Sequence, residues 1–248
     1  MPFPTTPPPI ARALKERKYE DPTAVQLAVL EARATGRDMV VSAQTGSGKT
    51  VAYGLAIATT LLGDAARFEN EADPLALIVA PTRELAMQVE RELAWLYSYT
   101  GARIISCVGG MDPSRERRRL YDGAHIIVGT PGRLRDHLER GALKINDLKA
   151  VVLDEADEML DLGFREDLEF ILEATPKTRQ TLMFSATMPK PIALLAKKYQ
   201  RDALRIEAKG SERAHADIEY RAMRVAPNEV EHAVVNVFAG VAEYNGRL

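Results

Sequence analysis

Short apolar runs alternate along the chain with longer amphipathic stretches. The apolar runs are rich in Val, Ile and Leu and show little alternation of polar and apolar positions, which is typical of strands buried on both faces of a parallel sheet. In stretches such as Arg83–Tyr97 and Arg165–Ala174, apolar residues recur every three or four positions, as they do in helices. The pattern predicts an α/β fold, a doubly wound and mostly parallel sheet with helices on both faces. The predicted strands are Asp38–Ser42, Leu75–Ala80, Arg103–Val108, His125–Val128, Ala150–Leu153 and Thr181–Ser185.

Two segments depart from this alternation. Gly63–Pro74 is polar and acidic, so we predict a mobile surface insertion there. Beyond Ile206 the pattern changes to a linker-like stretch at Lys209–Asp217, followed by a predicted strand at Glu219–Val225 and a predicted short helix at Asn228–Phe238. The residues after Ile206 are too few to form a second domain of their own.

Composition and charge narrow the function classes. Of the 248 residues, 46% are hydrophobic and 27% are charged, close to the averages of soluble globular domains. These values exclude a mostly disordered chain, a collagen-like repeat and a small disulfide scaffold. The formal net charge of −2 means that any nucleic-acid contact must come from a local basic face.

Cysteine usage and hydropathy predict a soluble, cytoplasmic protein. Cys107 is the only cysteine, so no internal disulfide forms, and a reducing compartment is the simplest interpretation. The sequence has no run of about 18 apolar residues, and its N-terminal residues lack the basic and apolar parts of a signal peptide. We therefore expect no membrane partner. None of the histidines has metal-ligand spacing with Cys107, which predicts no zinc site.

A phosphate-binding pattern follows the first predicted strand. Residues 43–50 read Ala-Gln-Thr-Gly-Ser-Gly-Lys-Thr, a P-loop with alanine in place of the first glycine. Glycines let main-chain N–H groups turn towards phosphates, and the following helix directs its positive end at them. We expect Lys49 to reach the β- and γ-phosphates and Thr50 to hold Mg²⁺ through its hydroxyl. The alternative, a chance glycine-rich turn, is disfavoured because a strand precedes the pattern and a helical stretch follows it.

Two carboxylates follow the predicted strand Ala150–Leu153. Asp154 comes directly after this strand, where a carboxylate near a P-loop can hold Mg²⁺, usually through water. The adjacent Glu155 can orient and deprotonate a water for in-line attack on a γ-phosphate. The alternative, an acidic helix N-terminus, explains the later acidic residues in part. The predicted catalytic residues are Lys49, Asp154 and Glu155, and the predicted metal ligands are Thr50 and Asp154.

The order of these motifs resembles one family. The chain is similar to the N-terminal RecA-like domain of DEAD-box ATP-dependent RNA helicases, in helicase superfamily two. The joint order and spacing of the motifs, over about 200 residues, are far more specific than any single motif. The motifs are PTAVQ at 22–26, AQTGSGKT at 43–50, PTRELAMQ at 81–88, Gly109-Gly110, TPGRL at 130–134, DEAD at 154–157 and SAT at 185–187.

The resemblance implies a nucleotide site. Gln26 corresponds to the residue that reads the edge of adenine, and its amide offers a donor and an acceptor side by side. Tyr19 corresponds to the aromatic residue that stacks on the base. Two departures from the family pattern are Ala24, in place of proline, and Lys18, where glycine is common, which puts the turn at Lys18 in doubt. The implied nucleotide-binding residues are Tyr19, Gln26, Thr45, Gly46, Ser47, Gly48, Lys49 and Thr50.

The resemblance also implies an RNA face. Arg83 and Arg133 can pair with phosphate oxygens, and such contacts read the RNA backbone with little sequence preference. For residues 130–133 alone, a helix N-terminus with proline in its first turn is an equally good interpretation. The basic run at Arg115–Arg119 either widens this face or is a solvated helix surface, and the second interpretation is favoured. The implied RNA-binding residues are Pro81, Thr82, Arg83, Gly109, Gly110, Thr130, Pro131, Gly132 and Arg133.

A third implied group links the ATP state to domain closure. It comprises Asp157, Ser185 and Thr187, and we expect the two hydroxyls to bond Asp157 and Glu155. A Ser/Thr turn at a strand end is the alternative.

The expected function is the ATP-binding half of an ATP-dependent RNA helicase that acts as a monomer with ATP, Mg²⁺ and RNA. No segment after Thr187 resembles the motifs of the family's second RecA-like domain. We therefore assign 1–208 to the first domain and 209–248 to a linker and the truncated start of the second. These residues alone are expected to bind ATP or ADP but to be nearly inactive. The alternatives are a nucleotide-responsive RNA-binding module and a DNA-directed superfamily-two translocase.

Overall fold

The computed structural model describes residues 3, 6–31, 34–69, 73–208 and 223–245. The chain forms two compact units, Met1–Gly210 and Ser211–Leu248. No helix in these described ranges is both long and apolar enough to cross a membrane.

The first unit is built on a sheet of seven strands, all of them parallel. The strand order is β3-β4-β2-β5-β6-β1-β7. Each of the six predicted strands is present with its ends within one residue of the prediction. The seventh, β7, was not predicted. The strands are β1 Met39–Ser42, β2 Ala76–Val79, β3 Ile104–Cys107, β4 Ile126–Gly129, β5 Ala150–Leu153, β6 Gln180–Ser185 and β7 Leu204–Glu207.

Helices cover both faces of the sheet, which confirms the doubly wound α/β prediction. Along β5, Ala150 and Val152 belong to one hydrophobic core, whereas Val151 and Leu153 belong to the other. This alternation shows that the strand is buried on both sides. The helices of the first unit are α1 Pro8–Glu16, α2 Ala24–Leu30, α3 Lys49–Leu62, α4 Arg83–Leu96, α5 Pro113–Tyr121, α6 Pro131–Glu139, α7 Ala156–Asp161, α8 Arg165–Ala174 and α9 Lys190–Tyr199.

Within the predicted surface insertion Gly63–Pro74, Phe68 and Glu69 contact the rest of the first unit, and mobility of the insertion stays a prediction. The ring of Phe68 lies 4.8 Å from the ring of His125 and 6.2 Å from that of Tyr97. The carbonyl oxygen of Glu69 is 2.8 Å from Nε2 of His125. These contacts hold Phe68 and Glu69 against the residue before β4 and the end of α4.

The second unit differs from its prediction. Of the predicted strand Glu219–Val225, residues 219–222 lie outside the described residues, and residues 223–225 form no strand. The predicted helix at Asn228–Phe238 is present but longer. A 3₁₀ turn at Pro227–Glu229 leads into α10, which spans Val230–Asn245.

The parallel arrangement brings the functional motifs to one edge. Carboxyl ends of parallel strands lie together, and ligands of such sheets bind there. The P-loop follows β1, residues 81–83 follow β2, Val108–Gly110 follow β3, Thr130 follows β4, Asp154 follows β5, and Ser185 ends β6.

Candidate nucleotide and nucleic-acid site

The P-loop turns on two glycines and ends at the N-terminus of α3. Gly46 and Gly48 have φ of 81° and 85°, left-handed values that favour glycine. A Cβ on Gly48 would lie 2.6 Å from Nε2 of Gln26. The loop therefore packs directly against the predicted adenine-reading residue, and only glycine allows this approach.

Gln26 is buried and links α2 to the P-loop. Its Oε1 accepts a hydrogen bond from the main-chain N–H of Thr23 at 3.0 Å, and its Nε2 donates to the carbonyl of Gly48 at 3.3 Å. A primary amide has two donor hydrogens and two acceptor lone pairs. One donor and one acceptor position thus remain for the edge of a base.

The turn before α2 has a left-handed residue at Lys18. Lys18 adopts φ of 56°, a left-handed conformation that costs a non-glycine residue about 1–2 kcal/mol. Lysine therefore replaces the expected glycine without abolishing the turn. The next residue, Tyr19, is 37% exposed, and its ring lies 5.4 Å from that of Trp95. Stacking of Tyr19 on a base stays a prediction.

Asp154 is a buried carboxylate with an unused oxygen. Its Oδ2 accepts a hydrogen bond from the phenol of Tyr53 at 3.2 Å, while Oδ1 has no hydrogen-bond partner among the described residues. Burial raises the pKa of Asp154 to about 6, against the opposing charge of Lys49. A buried carboxylate oxygen without a partner suits a hard cation such as Mg²⁺. Thr50, the second predicted ligand, is buried in the first turn of α3.

Tyr53 was missed by the sequence analysis. It lies on α3 one turn after Thr50, where helical spacing puts the two side chains on one face. The only feature of the sequence that could have indicated its role is its position three residues after Thr50 of the P-loop.

Glu155 faces the P-loop from a strained position. Its backbone has φ of 50° and ψ of 53°, a left-handed conformation that is costly for non-glycine residues and is enriched at functional sites. Its Oε1 accepts hydrogen bonds from the hydroxyl of Thr45 at 3.1 Å and from Nζ of Lys49 at 3.4 Å. Burial alone would raise the pKa of Glu155, but its hydrogen bond with Glu158 and the charge of Lys49 hold it below the usual value. Glu155 is therefore ionised and paired with the lysine predicted to meet a γ-phosphate.

Asp157 accepts the predicted bond from the hydroxyl of Thr187, whereas the hydroxyl of Ser185 donates to a main-chain carbonyl. Asp157 accepts hydrogen bonds from the main-chain N–H of Thr187 at 2.9 Å and from its hydroxyl at 2.7 Å. The hydroxyl of Ser185 donates to the carbonyl of Thr187 at 2.6 Å. The expected bonds from these hydroxyls to Glu155 are wrong, because the side chain of Glu155 is bonded to Thr45 and Lys49.

The exposed part of the predicted RNA face surrounds the two glycines after β3. Gly109 and Gly110 are exposed, as is Arg83. A Cβ on Gly110, which has φ of 77°, would lie 3.2 Å from Nη1 of Arg83. The main-chain N–H of Gly109 donates to the hydroxyl of Thr130 at 3.4 Å. These four residues therefore form one continuous surface. Around them lie Pro81 and Thr82 before α4 and Pro131 and Gly132 in the first turn of α6.

Arg133 is largely buried, whereas Arg83 is exposed. Only 13% of the Arg133 side chain is exposed, and Nη1 donates to Oε2 of Glu116 at 2.8 Å. Nη1 and Nη2 also donate to the carbonyl of Met111, at 3.2 and 3.1 Å. Its guanidinium is thus engaged within the protein, and pairing with phosphate stays a prediction.

Glu116 was also missed by the sequence analysis, because it lies within the basic run. The run itself is mainly a solvated face of α5, with Arg115, Arg117 and Arg118 exposed. Glu116 instead points inward, and its carboxylate lies within 4.8 Å of ligand atoms of Cys107 and His137. Sequence spacing did not reveal this group. Arg133 already neutralises the carboxylate, which disfavours a metal cation there.

These motifs and this fold match one family. Residues 23–195 match the sequence pattern of the DEAD/DEAH box helicases. The chain belongs to that family. It is 41% identical over 203 residues to the DEAD-box ATP-dependent RNA helicase CshA of Geobacillus kaustophilus, covering 82% of this chain and 42% of that protein. It is 45% identical to the mitochondrial DEAD-box ATP-dependent RNA helicase 9 of Arabidopsis thaliana, covering 82% of this chain and 33% of the relative.

Solved structures of DEAD-box proteins have the same RecA-like fold. The crystal structure of a DEAD box protein from the hyperthermophile Methanococcus jannaschii superposes with a TM-score of 0.75 at 38% identity, covering 94% of this chain and 61% of that one. The yeast DEAD-box splicing factor Prp28 also gives a TM-score of 0.75, at 33% identity, covering 84% of this chain and 51% of the other. The helicase domain described here spans less than half the length of the two curated relatives.

Tyr53→Phe tests the link between Asp154 and Mg²⁺. Removing the phenol takes away the side-chain donor that favours ionised Asp154, so Mg²⁺-dependent ADP binding should weaken by roughly 3- to 10-fold, the equivalent of about one hydrogen bond. Titration calorimetry with and without Mg²⁺ measures this change.

Tyr97→Phe is the matched control, since its buried phenol donates to the carbonyl of Gly54 at 2.7 Å, away from the carboxylates. It should lower the free energy of unfolding by about 1 kcal/mol and leave the Mg²⁺ dependence unchanged. An equal loss of Mg²⁺ dependence in both variants would contradict the assignment of Asp154.

Proposed function

We propose that this chain is the ATP-binding domain of an ATP-dependent RNA helicase, which couples ATP binding and hydrolysis to RNA binding and duplex unwinding. The observation that carries the proposal is the buried Asp154, with its unused oxygen, beside the Lys49–Glu155 ion pair at the end of the P-loop. The names of the relatives, ATP-dependent RNA helicases, support the same assignment.

The P-loop residues bind the phosphates of ATP. Main-chain N–H groups of residues 45–50 surround the phosphates at the N-terminus of α3. Lys49 exchanges its bond to Glu155 for the γ-phosphate, whose greater negative charge attracts it more strongly. Thr50 and Asp154 hold Mg²⁺. A metal ion held by these residues would supply positive charge to the phosphates.

Glu155 acts as general base. Once Lys49 turns to the phosphate, the ionised carboxylate of Glu155 can accept a proton from a water aligned with the γ-phosphate. Its fixed left-handed backbone holds the side chain towards the P-loop. Asp157 lies on α7, and its bond to Thr187 joins that helix to the residues after β6. That contact offers a route by which the nucleotide state influences a second domain.

RNA binds the neighbouring part of the same edge. Arg83, Thr130 and Gly110 offer a cation, a hydroxyl and an exposed main-chain N–H to phosphates. None of these groups reads a base, so little sequence preference is expected. A DNA-directed translocase remains the alternative, because RNA is distinguished from DNA by contacts to the 2′-hydroxyl.

Adenine reading by Gln26 is testable by nucleotide preference. If the remaining donor and acceptor of Gln26 bind the base, ADP should bind about 5- to 150-fold more tightly than GDP, because two hydrogen bonds contribute about 0.5–1.5 kcal/mol each. In Gln26→Ala the ratio of the two affinities should fall towards one. Calorimetry with both nucleotides measures the ratio.

Gln88→Ala is the control, since Gln88 bonds only Glu92 on the exposed surface of α4 in the described contacts, and it should keep the preference. An equal loss of ADP and GDP binding in Gln26→Ala would show that Gln26 supports the P-loop without reading the base.

Hydrolysis by these 248 residues should be very slow. An arginine finger contributes about 10³–10⁵ to the rate in P-loop enzymes, and the resemblance implies that the second RecA-like domain supplies it. In a steady-state ATPase assay, saturating single-stranded RNA should stimulate turnover no more than about twofold, because coupling needs two domains closing on both ligands.

Glu155→Gln should remove the residual activity while ATP still binds, whereas Glu173→Gln, which changes an exposed carboxylate paired with Lys198 at the end of α8, should keep it. Strong stimulation by RNA, or normal turnover by Glu155→Gln, would contradict this account.

A further inference from the structure

The carboxylate of Glu116 is a buried junction between three parts of the predicted RNA face. Its Oε1 accepts a hydrogen bond from the main-chain N–H of Val108 at 3.0 Å. Its Oε2 accepts from Nη1 of Arg133 at 2.8 Å and lies 2.7 Å from Nε2 of His137. Because an ionised carboxylate only accepts, Nε2 of His137 carries the proton. One side chain of α5 thus joins the end of β3 to two positions on α6.

The loop after β3 is held at successive residues by this junction and its neighbours. Glu116 holds the N–H of Val108, Thr130 holds the N–H of Gly109, and Arg133 holds the carbonyl of Met111. The glycines between these points are flexible by nature. The clamp therefore fixes the glycine-containing segment of the predicted RNA face.

We propose that Glu116 is a positioning residue for RNA binding, and that Arg133 serves the same clamp and does not bind phosphate. This inference rests on the proposed RNA-binding function. The charge that meets RNA phosphate is then that of Arg83, whose exposed guanidinium lies over Gly110. The N-terminus of α6 adds N–H groups, since Thr130 makes no side-chain cap there.

The clamp requires a negative charge at position 116. Three donors converge on the carboxylate, and burial alone would raise its pKa, yet hydrogen bonds from His137, the Val108 amide and Arg133 hold the pKa below the usual value. Glutamine at this position would direct an NH₂ group at one of these donors. Loss of the charge would also leave the guanidinium of Arg133, which is 13% exposed, without its partner.

A different role for Arg133 predicts the opposite change in RNA affinity when the charge of Glu116 is removed. If Arg133 binds phosphate and Glu116 holds it back, removing the charge of Glu116 would free the arginine and strengthen RNA binding. If the clamp positions the loop, the same change weakens binding. Salt dependence separates the residues further. Removing a cation that pairs with a phosphate of single-stranded RNA reduces the steepness of log affinity against log salt by about 0.7.

The experiment measures binding of fluorescently labelled oligouridine to the whole chain by anisotropy at several salt concentrations. Glu116→Gln should lower the affinity at least tenfold with an unchanged salt slope, and ADP affinity should stay within twofold. Arg133→Gln should behave in the same way. Arg83→Gln should lower both the affinity and the salt slope. Glu90→Gln is the matched control, since Glu90 pairs with Arg119 of α5 at 3.2 Å, and it should bind RNA normally.

Amide hydrogen exchange provides a readout that does not depend on RNA. In Glu116→Gln the amides of Val108 and Gly109 should exchange faster than in the unmodified chain and in Glu90→Gln. If Glu116→Gln does not fold, the double variant Glu116→Gln/Arg133→Gln removes both charges and should show the same two effects.

Unchanged or tighter RNA binding by Glu116→Gln, or a reduced salt slope in Arg133→Gln, would overturn the inference while leaving RNA binding itself intact. If the unmodified chain binds no RNA, the proposed function fails, and the role of Glu116 in RNA binding fails with it.

Discussion

A sheet in which every strand is parallel has one edge where all the carboxyl ends meet, and each part of the site depends on that constraint. Six loops leave the sheet there, from β1 to β6, and each carries a motif of the family. The two hydrophobic cores keep the strands in register beneath them. Polar and charged side chains on separate loops therefore lie in one site although they are far apart in sequence.

Buried charges at this edge give it its chemistry. Asp154, the Lys49–Glu155 pair and the Glu116–Arg133 pair are all withdrawn from water, so each must be matched by an opposite charge or by hydrogen bonds. In the first pair, Lys49 can leave Glu155 for a phosphate, because a single longer bond of 3.4 Å joins the two side chains. In the second, several short bonds converge on one carboxylate. The first pair suits a reactive site, and the second suits a fixed support.

The sequence predicted the parts that depend on local pattern. Six strands were found because continuous apolar runs mark strands buried on both faces, whereas β7 is an edge strand that alternates exposed and buried residues. The residues that were missed become functional only through packing. Glu116 stands among arginines and has the sequence pattern of a surface residue, and Tyr53 has that of an ordinary core residue of α3. The partner of Glu155 could not be predicted either, because it depends on a left-handed backbone that sequence pattern does not encode.

We propose that one edge of the sheet binds both the nucleotide and RNA. Backbone amide NMR of the labelled chain, titrated first with Mg²⁺ and ADP and then with short single-stranded RNA, tests it most directly. ADP should shift the amides of residues 45–50 and of Gln26, and RNA should shift those of Gly109, Gly110 and residues 130–133, except for the proline. RNA shifts confined to the exposed arginines of α5, or ADP shifts away from the P-loop, would contradict the account.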